Sequence, residues 1–520
     1  MPHHPSNDRF PLCGRVTIRI ALFAALVSFQ AWPAQIQEAA QLFEKGKLPE
    51  AEEQARAALA TESTRPMAYA ILGAIRLQQK KYDESAEFLE RALRLNPDLT
   101  GVRLNLGNVY VLQGRSALAC AAFRQVLKLH PTNFDAQFAL ARLENEAGHY
   151  TASEELTRPI AAALRRSDDG LLMLVSNSLG RGDVGQARTV LADWRKLPHP
   201  RALVAIQLAD LLEQHQLLSD AIAVLEQSKS GGASLEVYSR LGSSYFQKGQ
   251  FPEAVENYER ALSVNPDCAA CWLQLGRIAE KQANLEQALA FLMNAKRISP
   301  RAPEILAAMG RVCLKQDLYT DAIENLSAAV KLQPDNESYS YMLASALVGK
   351  QRYKDAIPLL TRSLSHHPED PVLNYSVGAV EFLNQDLVEA ERHLRLSLRY
   401  RQDQVGAHYY LALLEERKGN PDGALGILRT LAKNYPDHAP TFVALGTTLV
   451  QAGNYWEAKQ ALDRALQLDS SSVKAHYQLG IVLARLGDRE GSKKEFALVD
   501  MLKANSNAKP EVRIVEPEPQ

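Results

Sequence analysis

The chain lacks the residue patterns of known catalytic centres. It contains no H-E-x-x-H, no Walker A loop, no G-x-S-x-G and no glycine fingerprint for a dinucleotide. An excess of either charge is also missing: Lys plus Arg number 59 against 60 for Asp plus Glu. That balance excludes the broad positive footprint of a nucleic-acid-binding protein and leaves only local patches. Cysteines number only five, of which Cys120 and Cys313 fall at helix-packing positions and read as buried thiols. Cys268 and Cys271 form a C-x-x-C, but no second pair completes a zinc site, and Trp272 stands where a c-type haem motif requires His. The His366-His367-Pro368 cluster has no further ligands in neighbouring segments. No metal, cofactor or catalytic residue is therefore assigned, and the chain reads as non-enzymatic. Long apolar runs are scarce too, since the run from Ile20 to Phe29 falls short of the roughly 20 residues of a membrane span.

What is present is a period. Gly73, Gly107, Gly242, Gly276, Gly310, Gly378, Gly446 and Gly480 fall in one phase of a 34-residue unit, which also takes in Ala39, Ala141, Ala209, Ala344 and Ala412. Twelve residues on come Ala51, Ala119, Ala187, Ala221, Ala254, Ala288, Ala322, Ala356, Ala390, Ala424 and Ala458. With the glycine phase as position 8, the alanines occupy position 20, and position 32 carries Pro97, Pro131, Pro266, Pro300, Pro334, Pro368 or Pro436. Small residues at 8 and 20 allow two helices to cross closely. Large ones at helical spacing, such as Tyr110, Phe123, Tyr258, Leu292 and Leu462, fill the space around the crossing. Gly46, Gly114, Gly249 and Gly453 mark the turn between the helices, and the proline ends the second one.

These residues resemble the tetratricopeptide repeat family over about 32–506. The resemblance implies an all-α, right-handed superhelical solenoid of about 14 helix-turn-helix repeats, starting at 32, 66, 100, 134, 168, 202, 235, 269, 303, 337, 371, 405, 439 and 473. One step is 33 residues rather than 34 and coincides with Ser230-Gly231-Gly232. The units beginning at Asp168 and Ala202 conform least, with Val175 at position 8. We therefore expect an N-terminal block over 34–234, degenerate near 158–234, and a C-terminal block over 235–504. A continuous array with one missing residue is the alternative.

The ends break the pattern. Arg9, Arg15 and Arg19 precede the apolar run, and Ala31, Pro33 and Ala34 follow it. Residues 1–33 thus read as a secretory signal peptide or an uncleaved N-terminal anchor, through which alone the membrane would be touched. The last stretch, 505–520, holds three prolines and three glutamates and is expected to be a disordered tail.

The family resemblance implies that the first helices line a concave groove, with positions 2, 5, 9, 12 and 13 pointing inward. Position 5 reads Tyr341, Tyr375, Tyr409, Val443 and Tyr477 over the last five repeats. A tyrosine ladder suits an extended peptide or a glycan, unless the rings instead pack on the next repeat. Position 9 supplies Arg277 and Arg311, which either grip a ligand carboxylate or pair with nearby Glu280 and Glu304. A carboxylate clamp is matched in kind only by Asn105 and Asn108, without the lysine partners, and an asparagine ladder only by Asn105. Cys268 and Cys271 lie three apart at a helix entrance, a spacing open to a disulfide, a redox pair or two small packing residues.

The reading is a protein-binding scaffold that is exported to a bacterial periplasm or envelope, where it would organise an assembly through its groove. Two alternatives stand beside it. One is an accessory subunit of a polysaccharide, pilus or secretion machine with glycan in the groove. The other is the repeat scaffold of a glycosyltransferase-type complex whose catalytic domain lies on another chain.

Overall fold

The computed structural model describes residues 33–229 and 234–505. The signal-peptide segment, the Ser230–Ala233 seam and the tail beyond residue 505 lie outside the described residues. Those described form helices joined by short turns, with no strand among them. Helices of 13 and 14 residues alternate, as in Leu235–Gln247 with Phe251–Val264 and Pro371–Leu383 with Leu387–Tyr400. First helices begin at Thr100, Phe134, Asp168, Ala202, Leu235, Ala269, Pro303, Glu337, Pro371, Val405, Ala439 and Val473, in the phase read from the sequence.

The crossing explains that phase. A Cβ added at Gly107 would lie 2.5 Å from the Phe123 ring, at Gly310 2.4 Å from Leu326, and at Gly446 2.5 Å from Leu462. In each case the clashing residue stands sixteen positions on, at position 24. Ala254, Ala288, Ala322, Ala356, Ala390, Ala424 and Ala458 at position 20 are wholly buried beside these contacts. A larger residue at either position would have to push the helices apart.

Helix ends follow local chemistry. The turn between paired helices needs one residue with positive φ, which is Gly114 at 72° and Gly249 at 78°. Where glycine is missing, Lys80, Gln216, Ala283, Asp317, Gln351 and Gln385 adopt the same conformation at 59 to 70°. At the other end, the residue before the closing proline leaves the helix: Asn96, preceding Pro97, is extended with φ −142° and ψ 98°. One repeat departs from the plan. Its second helix stops after Tyr150–Thr157, and Pro159 diverts the chain through a 3-10 turn at Arg158–Ile160 into the short helix Ala161–Leu164. The chain then turns so tightly that a Cβ on Gly170 would sit 2.2 Å from the Leu164 carbonyl oxygen.

The described residues divide into two compact units, with the boundary between Val264 and Asn265. The division falls one repeat later than the sequence seam. Within the first unit the core runs as strips, from Ile36 through Ile75, from Ala70 through Leu143 and from Leu171 through Leu241. Within the second it runs from Leu273 through Val312, from Leu306 through Val380 and from Ala412 through Leu483. Each strip spans neighbouring repeats, so every repeat completes the core of the next. Among the described residues, no helix is long and apolar enough to cross a membrane.

Candidate protein-binding face of the first helices

In the second unit, successive first helices touch each other as well as their own partners: Pro371–Leu383 meets Val405–Arg417, which meets Ala439–Gln451, which meets Val473–Arg485. Their adjoining sides form one face. Which side chains stay open on it depends on how far each is covered by the following repeat.

The four tyrosines at position 5 meet four different fates. Tyr341 is only 4% exposed, and its hydroxyl lies 3.0 Å from Ser376 Oγ in the next first helix. Tyr375 is half-buried and lies against Gly406, whose missing side chain makes room for the ring: a Cβ there would be 2.5 Å from it. Burial pushes the Tyr375 hydroxyl above its ordinary pKa. Tyr409 is half-buried, edge-on to Tyr410 at 5.4 Å and to His438 at 5.8 Å. Burial lowers the pKa of His438, favouring the neutral ring. Tyr477 is 47% exposed and stands edge-on to Phe496 in its own repeat. The rings therefore share a register but not a surface, and Tyr341 is integral to the packing.

Other half-buried side chains complete this face. Phe382 packs edge-on against Tyr410 at 5.4 Å with the Arg417 guanidinium 6.0 Å from its ring centre. Leu413, Val443 and Val450 are half-buried on the same set of first helices. Phe382, Leu413 and Val450 had gone unremarked in the sequence, although positions 12 and 9 carry them in the inward phase.

Arg311 and Arg277 differ sharply. Arg311 grips Glu280 with two parallel bonds, Nε to Oε1 at 2.9 Å and Nη2 to Oε2 at 2.8 Å, while Lys315 Nζ lies 2.7 Å from the same carboxylate. Burial would raise the Glu280 carboxyl, but the bonds and charges of Arg311 and Lys315 outweigh it and hold the pKa below the ordinary value. Arg277, half-buried one repeat earlier, enters no hydrogen bond or ion pair among the described residues. On the helix Thr100–Leu112 of the first unit, Asn105 is 1% exposed and its carbonyl oxygen has no hydrogen-bond partner among the described residues. Asn108 is half-buried on the same helix.

Two further groups bring reactive side chains together. Cys268 and Cys271 are joined by a disulfide, with their Cα atoms 5.3 Å apart. Glu381, Glu389 and His393 bring three ligand-type atoms within 4.8 Å of one another. A cation already serves that cluster: Arg392 Nε lies 2.8 Å from Glu389 and its Nη2 2.8 Å from His393 Nε2, while His393 Nδ1 faces Glu381 at 2.7 Å.

Models of the tetratricopeptide repeat match residues 73–114 and 446–487, 104–165, and 407–438. A model described as the C-terminal domain of cilia and flagella-associated protein 70 matches residues 201–413. Human superkiller complex protein 3 is 31% identical over 93 residues, 18% of this chain and 6% of that protein. Human anaphase-promoting complex subunit 7 is 21% identical over 200 residues, 38% of this chain and 35% of that protein. The chain thus matches about a third or less of the length of these relatives. Among solved structures, the APC/C hetero-tetramer Cut9-Hcn1 aligns at 13% identity with a TM-score of 0.41, covering 87% of this chain and 96% of that one.

Proposed function

We infer that this chain, built from tetratricopeptide repeats, is a non-enzymatic scaffold that holds an extended protein segment against the first-helix face of residues 371–451. The observation that carries this reading is the row of half-buried Tyr375, Phe382, Tyr409, Leu413, Val443 and Val450 on three touching helices. Large rings and branched chains left partly open on a rigid frame bury area at little entropic cost when a partner covers them. Two of the relatives, superkiller complex protein 3 and anaphase-promoting complex subunit 7, are named as components of protein complexes, which agrees with this role. The charged start, the apolar run and the small residues of 1–33 support export, and with it service in a bacterial envelope assembly. A glycan is the second reading, because exposed aromatic faces also stack on sugar rings.

The test is a photo-crosslinking residue placed at Leu413 in the full chain, expressed in its native cell, with one at Trp456 on a second helix as the control. Trp456 is 68% exposed, so accessibility alone would favour the control. A protein captured from Leu413 and not from Trp456 supports the reading. Carbohydrate captured there would replace peptide by glycan, and equal or lower capture at Leu413 would remove the face altogether.

A further inference from the structure

We propose that Cys268–Cys271 is a redox-active disulfide that exchanges reversibly with a partner dithiol, with Cys268 as the sulfur that meets the partner. The inference does not depend on the peptide-binding face. It rests on where the bond lies and what surrounds each sulfur.

A bridge over a sequence separation of 3 ties no distant parts of the chain together. It therefore restrains the unfolded chain less than a bridge closing a long loop would. The repeat that contains it is held by other means. Gly276 crosses under Leu292, Ala288 and Ala295 are wholly buried, and Trp272 donates its ring N–H to the Pro266 carbonyl at 3.1 Å. The bond's structural task is accordingly small.

The two sulfurs are unequal. Cys268 is the N-cap of the 13-residue helix Ala269–Lys281 and is half-exposed, whereas Cys271 lies within the first turn and is 1% exposed. The backbone N–H of Cys271 donates to Cys268 Sγ at 3.1 Å. Between them lie Ala269, half-buried, and Ala270, exposed. A negative sulfur at an N-cap is stabilised by that N–H and by the helix dipole, which favours Cys268 as thiolate. The cap is a sulfur in either oxidation state, so reduction need not unwind the helix.

The exchange balances as follows. A partner thiolate attacks Cys268 Sγ, the Cys268–Cys271 bond breaks, and Cys271 leaves as a thiolate that takes a proton from solvent. The partner's second thiolate then attacks its own sulfur in the mixed disulfide, and Cys268 leaves as a thiolate held by the Cys271 N–H. The pair gains two electrons, and the partner dithiol becomes a disulfide. The remaining described cysteines make poor substitutes: Cys313 is buried, with its thiol pushed up to about 11 by that burial, and burial likewise raises Cys120.

The experiment equilibrates the full, folded chain with mixtures of reduced and oxidised glutathione, quenches with acid, alkylates, and reads the peptide spanning both cysteines by mass spectrometry. The expected result is a reversible transition from disulfide to two alkylated thiols with unchanged helical circular dichroism. In the same buffers Cys271→Ser should accumulate glutathione on Cys268 at least about tenfold more than Cys268→Ser accumulates it on Cys271. A native pair that stays oxidised until denaturant is added overturns the proposal, as does loss of helicity on reduction or equal adducts in the two variants. Should either serine variant fail to fold, the wild-type titration decides alone.

Discussion

Two separate reasons require glycine at particular positions of this chain, and substitution distinguishes them. Gly242 crosses under Tyr258, and a Cβ there would stand 2.8 Å from the ring, whereas Gly249 has nothing within 4 Å but a φ of 78°. Gly242→Ala should cost about 1–3 kcal/mol by overpacking. Gly249→Ala should cost about 1 kcal/mol from backbone conformation alone. Ala283, already at φ 60°, provides the converse, since Ala283→Gly should raise the unfolding midpoint slightly. Chemical denaturation of the three variants checks the set, and a clearly larger loss for Gly249→Ala than for Gly242→Ala, or a loss for Ala283→Gly, would contradict these causes. The tyrosines follow the same logic of surroundings. Tyr341→Ala should cost about 3–5 kcal/mol of stability, because it empties a closed site. Tyr409→Ala should instead lose more than about 1 kcal/mol of partner affinity at a smaller cost in stability. Large destabilisation by Tyr409→Ala with affinity unchanged in the folded fraction would shift the search to Arg277, which enters no ion pair among the described residues.

Helices of adjacent repeats are also tied by charge, and one tie makes stability depend on pH. Arg76, 8% exposed on Arg65–Gln78, reaches both carboxylate oxygens of Glu52 on Leu48–Ala57 at 2.8 and 2.7 Å, and Glu84 on Tyr82–Leu95 at 2.7 Å. The Arg76 hydrogen bonds hold the Glu52 carboxyl down at about 2, from an ordinary 4.5. A lowered folded-state pKa means that the unfolded chain takes up the proton first. The contribution of Glu52 is therefore complete above about pH 4.5 and is lost as pH falls toward about 2. Glu52→Gln should flatten the pH dependence of the melting temperature across that window and lower the melting temperature at pH 7. A variant with the wild-type acid slope would show that other carboxylates govern it. The pairing was hidden in the sequence because its members lie 24 residues apart, with many other acidic residues equally near along the chain. The break at Pro159 was partly legible, since the surrounding repeats read as degenerate. Its route was not, because it depends on the approach of Gly170 to the Leu164 carbonyl.

For the molecule as a whole, each of the two compact units holds core strips of its own. A fragment of residues 265–520 should thus fold alone to a helical state with a cooperative melt. The full chain need not unfold in a single step, since its stability sums over repeats and their interfaces. Circular dichroism of the fragment checks the first point, and an unfolded fragment would make the second unit dependent on the first. Export is tested separately. A reporter active only outside the cytoplasm, fused to residues 1–40, should be active, and retention inside would remove the envelope from the proposed role. Period, phase, helix pairing and the crossing residues were all written in the order of amino acids, because each depends on side chains within one unit of 34. Which inward residues are sealed and which remain open was settled only in three dimensions. Tyr341 is closed by a serine, Tyr375 lies over a glycine, Tyr409 faces a histidine, and Arg311 is neutralised by Glu280. Each of those partners lies about one repeat away, and the helical period that positions it carries no information about which side chain it is.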